Sequence, residues 1–294
     1  MRELWDVAAP AKLNLFLHIT GQRTDGYHLL QSAFVLLDWH DTLHFERRAG
    51  GKLSREDLAA PLPANDLTLR AAQALQQATG CGEGAHIRIA KRLPAEAGMG
   101  GGSSDAASCL LALNVLWNLR LPLPALEKIG LALGADVPFF LRGRNAWVEG
   151  VGEAITPIDL PPARFAVVKP PRGLGTQEIF RHPLLKRDSE AATIAGFAAD
   201  PWAFGRNDME AVARQLCPEV GEAVEWLVSQ DLRARMTGSG SAVFAVLPQG
   251  WPPGKLAAQV PAHWAQAGWV VRECGKLDVH PLAGWAPRQD SVGS

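Results

Sequence analysis

Apolar and polar residues alternate along residues 12–20 (KLNLFLHIT), the period of a strand with one face buried. Residues 33–37, 42–46 and 85–91 carry the same strand signal. Residues 65–79 place Leu67, Ala71, Ala74, Leu75 and Ala78 at helical spacing behind an Asn or Asp cap. Further helices are predicted over 103–119 and 124–133. Beyond the proline-rich stretch 157–162 (PIDLPP), a strand is expected at 165–169 and helices at 208–216 and 218–228. Two strands, 233–237 and 242–247, flank a tight turn; a last helix and a strand at 269–274 follow. Strands and helices mix without regular βαβ alternation, which points to an α+β fold rather than a doubly wound sheet. A chain of 294 residues is near the size where one core stops growing. Two domains are therefore expected, 1–158 and 159–285, divided at the prolines, with a tail at 286–294 that is expected to be disordered.

Composition narrows the partners. Lys plus Arg is 29 and Asp plus Glu is 30, so the chain has no field of one sign that would favour nucleic acid or an anionic membrane. Any anionic ligand must be held by local arrangements. Cys81, Cys109, Cys217 and Cys274 form no C-x-x-C pair, which argues against a disulfide framework or a zinc site. No apolar run approaches the ~18 residues of a membrane span, and charges sit where a signal peptide would need its apolar stretch. A cytoplasmic chain is expected. Nothing in the pattern specifies an oligomeric state or a set of metal ligands.

The strongest chemical signal is Pro94-Ala95-Glu96-Ala97-Gly98-Met99-Gly100-Gly101-Gly102-Ser103-Ser104-Asp105, between a predicted strand and a predicted amphipathic helix. Glycines let the backbone take positive φ and approach a ligand closely. Consecutive N–H groups at a helix start can converge on phosphate. Ser103 or Ser104 can cap the helix and offer a hydroxyl to a phosphate or to Mg²⁺. The loop lacks the lysine of a Walker A motif and the βαβ context of a dinucleotide fingerprint. The bland alternative is a flexible linker, which gains nothing from this placement. Asp105 is a puzzle beside a triphosphate: it points away or faces a metal. A second loop, residues 237–241 (TGSGS), is either a plain turn or part of the same enclosure.

Three motifs in order, residues 10–15 (PAKLNL), 94–105 and 236–241 (MTGSGS), resemble the GHMP kinase superfamily. Residues 21–32 (GQRTDGYHLLQS), 133–140 (LGADVPFF) and 149–153 (EGVGE) are similar to one branch of it. The resemblance spans about residues 7 to 275. Ala97 and Met99 stand where the loop more commonly has Gly and Leu. The resemblance implies a ribosomal-protein-like N-terminal domain and a ferredoxin-like C-terminal domain with the active site between them. It also implies ATP and Mg²⁺ as cofactors. The implied reaction moves the γ-phosphate of ATP to the 2-hydroxyl of 4-diphosphocytidyl-2-C-methyl-D-erythritol, a small cytidylated substrate of the non-mevalonate isoprenoid route.

Phosphoryl transfer needs phosphates fixed, charge offset and the acceptor hydroxyl aligned. Asp136 reads either as the cap of the next helical turn, with Pro138 near its first position, or as the base; the resemblance implies the base. Lys12 alone would read as a solvated strand edge; the resemblance places it beside Asp136 and the acceptor hydroxyl. Asn14 shares its strand face and can hold Lys12 or the substrate. Tyr27, the single tyrosine, and His28 are the cytidine candidates: an aromatic face stacks on a pyrimidine and a neutral imidazole pairs with its edge. Phe180 would supply the opposite face and Thr176 would touch the erythritol. His18 reads as structural. Two rivals stand beside this reading. Another kinase of the superfamily would not need the DGYH segment, and a non-catalytic nucleotide sensor would be expected to lack Lys12 or Asp136.

Overall fold

The computed structural model describes residues 1–287. Two long strands, β1 (Glu3–Gln22) and β2 (His28–Arg48), form an antiparallel pair that runs through the molecule. The separate strands expected at 33–37 and 42–46 are thus one strand. Pairing with β1 breaks after Leu36, opposite Lys12, and resumes at His40, opposite Pro10, across a register shift that the strand spans despite the break in hydrophobic rhythm. The first half adds β3 (Leu53–Asp57), α1 (Leu67–Thr79), β4 (Gly84–Ala90), α2 (Gly101–Leu116), α3 (Leu123–Leu133), α4 (Val137–Arg142), β5 (Ala146–Gly150) and β6 (Ala154–Pro157). The second half contains β7 (Arg164–Lys169), α5 (Thr176–Arg181), α6 (Ile194–Ala199), α7 (Glu210–Leu216) and α8 (Pro218–Ser229). It closes with β8 (Ala234–Met236), β9 (Val243–Val246), α9 (Ala262–Gln266) and β10 (Val270–Leu277). The strand path is β3-β4-β2-β10-β7-β9-β8, with β1 and β5 also on β2. All pairings but β3–β4 are antiparallel, as an α+β fold requires.

Along residues 9–19 of β1 and 31–37 of β2 neither face of the pair meets water. Phe34 and Leu36 point into a core with α1, α2 and α4, while Ala33, Val35 and Leu37 point into a second core with Phe165, Val167 and Phe244. A third core joins β7, β9, α7 and α8. The half-buried strand expected from alternation is instead buried from residue 12 to residue 19, and its polar residues Lys12, Asn14 and His18 are 4%, 2% and 8% exposed. The α2 helix was expected to be amphipathic; it is buried on every side from Ser104 to Asn114 because strands and helices enclose it. Helix α1 starts one residue after Asp66, whose carboxylate accepts the N–H groups of Thr68 and Leu69.

The chain end turns back to the first half. Leu277 pairs with Leu36, His280 N–H donates to the Gly143 carbonyl, and Leu282 and Ala286 join the first core. The tail expected from residue 286 begins inside this packing, where the Pro287 carbonyl accepts Leu123 N–H at 3.0 Å. The rest of it, from residue 288, lies outside the described residues.

Candidate active site

The segment between β4 and α2 is wound tightly. Gly98 and Gly100 have φ of +70° and +71°. A Cβ on Gly98 would lie 2.2 Å from the Thr237 carbonyl oxygen, and one on Gly100 would lie 3.0 Å from the Phe140 ring and 3.2 Å from Lys12 Cε. Three backbone bonds clamp the loop: Ser241 N–H to Glu96 O, Ala242 N–H to Ala97 O, and Lys12 N–H to Met99 O. The 237–241 loop is thus more than a turn, since it packs directly on the glycine loop. Gly100 occupies the N-cap position and no side chain caps α2, which corrects the expectation for Ser103 and Ser104. Ser103 lies in the first turn on the cleft wall; Ser104 is fully buried and off that wall. Gly101 lacks positive φ, so the demand for glycine falls on 98 and 100.

A buried ionic cluster holds both ends of this segment. Lys91, just after β4, donates to Asp41 and, at 2.6 Å, to Asp105 on the second turn of α2. Asp41 also accepts the N–H groups of Arg92 and Leu93 at 2.5 and 2.8 Å. Asp105 is therefore turned onto Lys91. Burial, opposed by Lys91 and reinforced by Asp41, pushes its carboxyl up to about 8.

One cleft of about 690 Å³, a size typical of ligand sites, opens over the loop. Residues 94–103 line it, together with Lys12, Asn14, Asp136, Thr176 and Phe180. Register shifts between Pro10 and Lys12 and between Asn14 and Leu17 flank the two strand residues. Such bulges re-aim side chains. Lys12 Nζ bonds Asn14 Oδ1, lies 3.5 Å from Asp136 Oδ2 and sits over the Phe34 ring at 4.5 Å. The solvated-edge alternative for Lys12 is excluded by its burial. Asp136 stands at the N-cap position of α4 yet makes no capping bond, so its carboxylate is free for Lys12 and the cleft. Burial pushes the Lys12 ammonium below the ordinary lysine value, and Asp136 pulls it partly back.

This sets a pH dependence. A cation whose pKa is lowered loses its charge as pH rises, earlier than a free lysine would. We expect kcat to fall on the alkaline side at a lower pH than an ordinary lysine would dictate. In Asp136→Asn the residual activity should fall at still lower pH, because the charge that pulls Lys12 up is gone. Single-turnover rates across pH test this, and a limb that stays in place in the variant would exclude Lys12 as its origin.

The substrate-side candidates are spread along one edge. Thr176 Oγ1 and Ser239 Oγ are 2.8 Å apart. The rings of His28 and Phe180 stack at 4.7 Å between centroids and 22° between planes. His28 and Tyr27 do not line the cleft itself; Tyr27 is 64% exposed beside it. His18 packs edge-on against Phe16, consistent with a structural role.

Several contributors were invisible in the sequence. Thr237 Oγ1 accepts Asn14 N–H at 2.8 Å, and Asn207 Nδ2 donates to the carbonyls of Met236 and Gly238. Arg235, buried and in no ion pair among the described residues, donates to Leu15 O and Trp202 O. Only the position of Thr237 in the TGSGS segment could have drawn attention to any of these.

Residues 66–144 match the model of the GHMP kinases N terminal domain, and residues 188–266 that of the GHMP kinases C terminal domain. The chain is 60% identical to the 4-diphosphocytidyl-2-C-methyl-D-erythritol kinase of Variovorax paradoxus (strain S110), covering 97% of this chain and 100% of that protein. It is also 60% identical to the protein of that name from Albidiferax ferrireducens, over 100% of both. A crystal structure of 4-(cytidine 5'-diphospho)-2C-methyl-D-erythritol kinase superposes with a TM-score of 0.76 at 34% identity, covering 93% of this chain and 99% of that one. Homoserine kinase from Cytophaga hutchinsonii shares the fold at 13% identity, with a TM-score of 0.70 over 95% of this chain and 96% of that one. With end-to-end identity of this order and the same two-domain fold, the chain belongs to the GHMP kinases and, within them, to the 4-diphosphocytidyl-2-C-methyl-D-erythritol kinase family.

Proposed function

We propose that this chain transfers the γ-phosphate of ATP to the 2-hydroxyl of 4-diphosphocytidyl-2-C-methyl-D-erythritol, a step of the non-mevalonate route to isoprenoid precursors. The observation that carries the reading is that one cleft joins the glycine loop to Lys12 and Asp136, 3.5 Å apart. Backbone N–H groups at the head of α2 receive the phosphates, aided by the helix dipole. Asp136 orients the acceptor hydroxyl and takes its proton as the new O–P bond forms and the bond to the β-phosphate breaks, releasing ADP. Lys12 offsets the negative charge on the oxygens in flight. Asn14 holds Lys12 in place through its amide oxygen.

Magnesium fits as an ion that arrives with the nucleotide. Among the described residues no group of three His, Cys, Asp or Glu side chains could hold a metal, and Asp41 and Asp105 are engaged with Lys91. The Ser103 hydroxyl on the cleft wall would be its protein ligand, with phosphate oxygens and water completing the shell. When bound, the ion supplies further charge compensation to the phosphates.

Tyr27, His28 and Phe180 are assigned to the cytosine and Thr176 to the erythritol. No helix among the described residues is long and apolar enough to cross a membrane, and we place the enzyme in the cytoplasm with its metabolite substrate. Incubation with Mg-ATP and the cytidylated substrate should release ADP; homoserine and mevalonate should not support turnover. ADP formation with either of those instead would reassign the chain within the superfamily. His28→Ala should raise the KM of the cytidylated substrate by roughly one to two decades, the loss expected for a base-edge contact. The KM of ATP should stay within about twofold.

A further inference from the structure

We propose that Arg187 is a positioning residue of the substrate site: it fixes the His28 imidazole in the tautomer whose proton sits on Nδ1 and holds the backbone of Phe180 beside that ring. The inference rests on the assignment of His28 and Phe180 to base recognition and extends it to the group that sets their chemistry.

The geometry is specific. Arg187 Nε–H donates to His28 Nε2 at 3.0 Å across 159 residues of chain. A guanidinium has donors only, so Nε2 must be the nitrogen without a proton. The other arms of the fork are occupied by carbonyls. Nη1 donates to Leu185 O at 2.9 Å, and Nη2 to Phe180 O at 2.9 Å and His182 O at 3.1 Å. These bonds tie the end of α5 to the same guanidinium that grips the histidine. The stack of Phe180 on His28 follows from that shared anchor.

His28 stands at the rim of the cleft. Leu30, two residues on along β2 and on the same side of the strand, lines it, as does Phe180. His28 Nδ1 makes no bond within the described residues. Opposite His28 on β1 is the neutral Gln22, and Arg187 is the charged group that acts on the ring. Burial and then Arg187 hold the imidazole below its ordinary value, which keeps it neutral near pH 7 with a single proton on Nδ1.

A neutral Nδ1–H is an uncharged donor. It matches a pyrimidine whose ring nitrogen N3 is an acceptor, as in cytosine. It opposes one whose N3 carries hydrogen, as in uracil, because two donors would meet. Arg187 therefore contributes to the choice of base without touching the base.

The test combines a spectroscopic and a kinetic readout. Nitrogen NMR of the parent should show His28 protonated on Nδ1. In Arg187→Met the ring is free to carry its proton on Nε2, the site imidazole prefers in water. The KM of the cytidylated substrate should then rise about tenfold near pH 8 and much less near pH 5.5, where the imidazolium again presents an Nδ1–H. The preference for the cytidine substrate over its uridine analogue should shrink, and the KM of ATP should stay within about twofold. Arg187→Lys keeps a cation but loses the fork, and should fall between the parent and Met in both readouts; it carries the test if the Met variant does not fold. A parent ring protonated on Nε2 overturns the proposal, as does a variant with unchanged proton position and unchanged substrate KM. Equal rises in both KM values would also overturn it, by showing a general loosening. Failure of the underlying assignment looks different: His28→Ala would then leave the substrate KM unchanged whatever the NMR shows.

Discussion

Asp136→Asn is expected to lower kcat by ~10²–10⁴ while ATP and the cytidylated substrate still bind. The substitution keeps the size of the side chain and removes its charge and basicity. It costs α4 nothing as a cap, because the native carboxylate makes no capping bond. Lys12→Met should cause a loss of similar size, since it removes the buried cation 3.5 Å from Asp136. The two side chains form one unit with Asn14, so the double variant should be little worse than either single one. Additive losses would instead assign them separate roles, with Lys12 on the ATP phosphates. Single-turnover rates with both substrates saturating separate these cases from a binding defect. Near-normal kcat in Asp136→Asn would remove that residue from the chemistry.

Gly98→Ala should reduce ATP affinity by at least ~100-fold, whereas Gly101→Ala should change it by less than about threefold. The contrast comes from what each new methyl group would meet. At Gly98 it would lie 2.2 Å from the Thr237 carbonyl oxygen and 2.9 Å from the Gly240 nitrogen, both backbone, at a φ of +70°. A left-handed conformation alone costs a non-glycine residue on the order of 1–3 kcal/mol. The loop must then separate from 237–240 and the N–H groups lose their convergence. At Gly101 the nearest atoms are Leu93 carbons at 3.5 Å, an ordinary contact, and alanine favours the helix. Gly100→Ala supplies a third case. Its methyl would press on Phe140 and Lys12 Cε, so kcat should suffer along with affinity. Calorimetric titration with ATP, beside a thermal melt of each variant, decides the matter. Equal affinity in Gly98→Ala and the parent would mean that the phosphates are held elsewhere.

Local pattern went a long way in this chain. The helix behind Asp66, the glycine loop after β4 and the strands at 165–169 and 242–247 could all be read from residues close together in sequence. Their signals are short-range: side-chain period, cap chemistry and glycine spacing. The same signals located the loop and put Asn14 on one strand face with Lys12, but only the family resemblance gave Lys12 a role over a solvated strand edge and Asp136 a role over a helix cap. Tertiary structure decided what covers each face. The alternation of residues 12–20 says that Lys12 and Asn14 share a side; it cannot say that this side is a closed site rather than solvent. Short elements such as β3, β5 and β6 went unread because their stability comes from neighbours distant in sequence. The demand for glycine at 98 rather than 101 arises from Thr237, and the burial of α2 on every side arises from the strands and helices around it. Asp41 meets the loop across about fifty residues and Arg187 meets His28 across 159. Periodicity records which residues face the same way, but the partner of a buried charge or an imidazole nitrogen is fixed only when distant segments pack and exclude the water that would otherwise serve it.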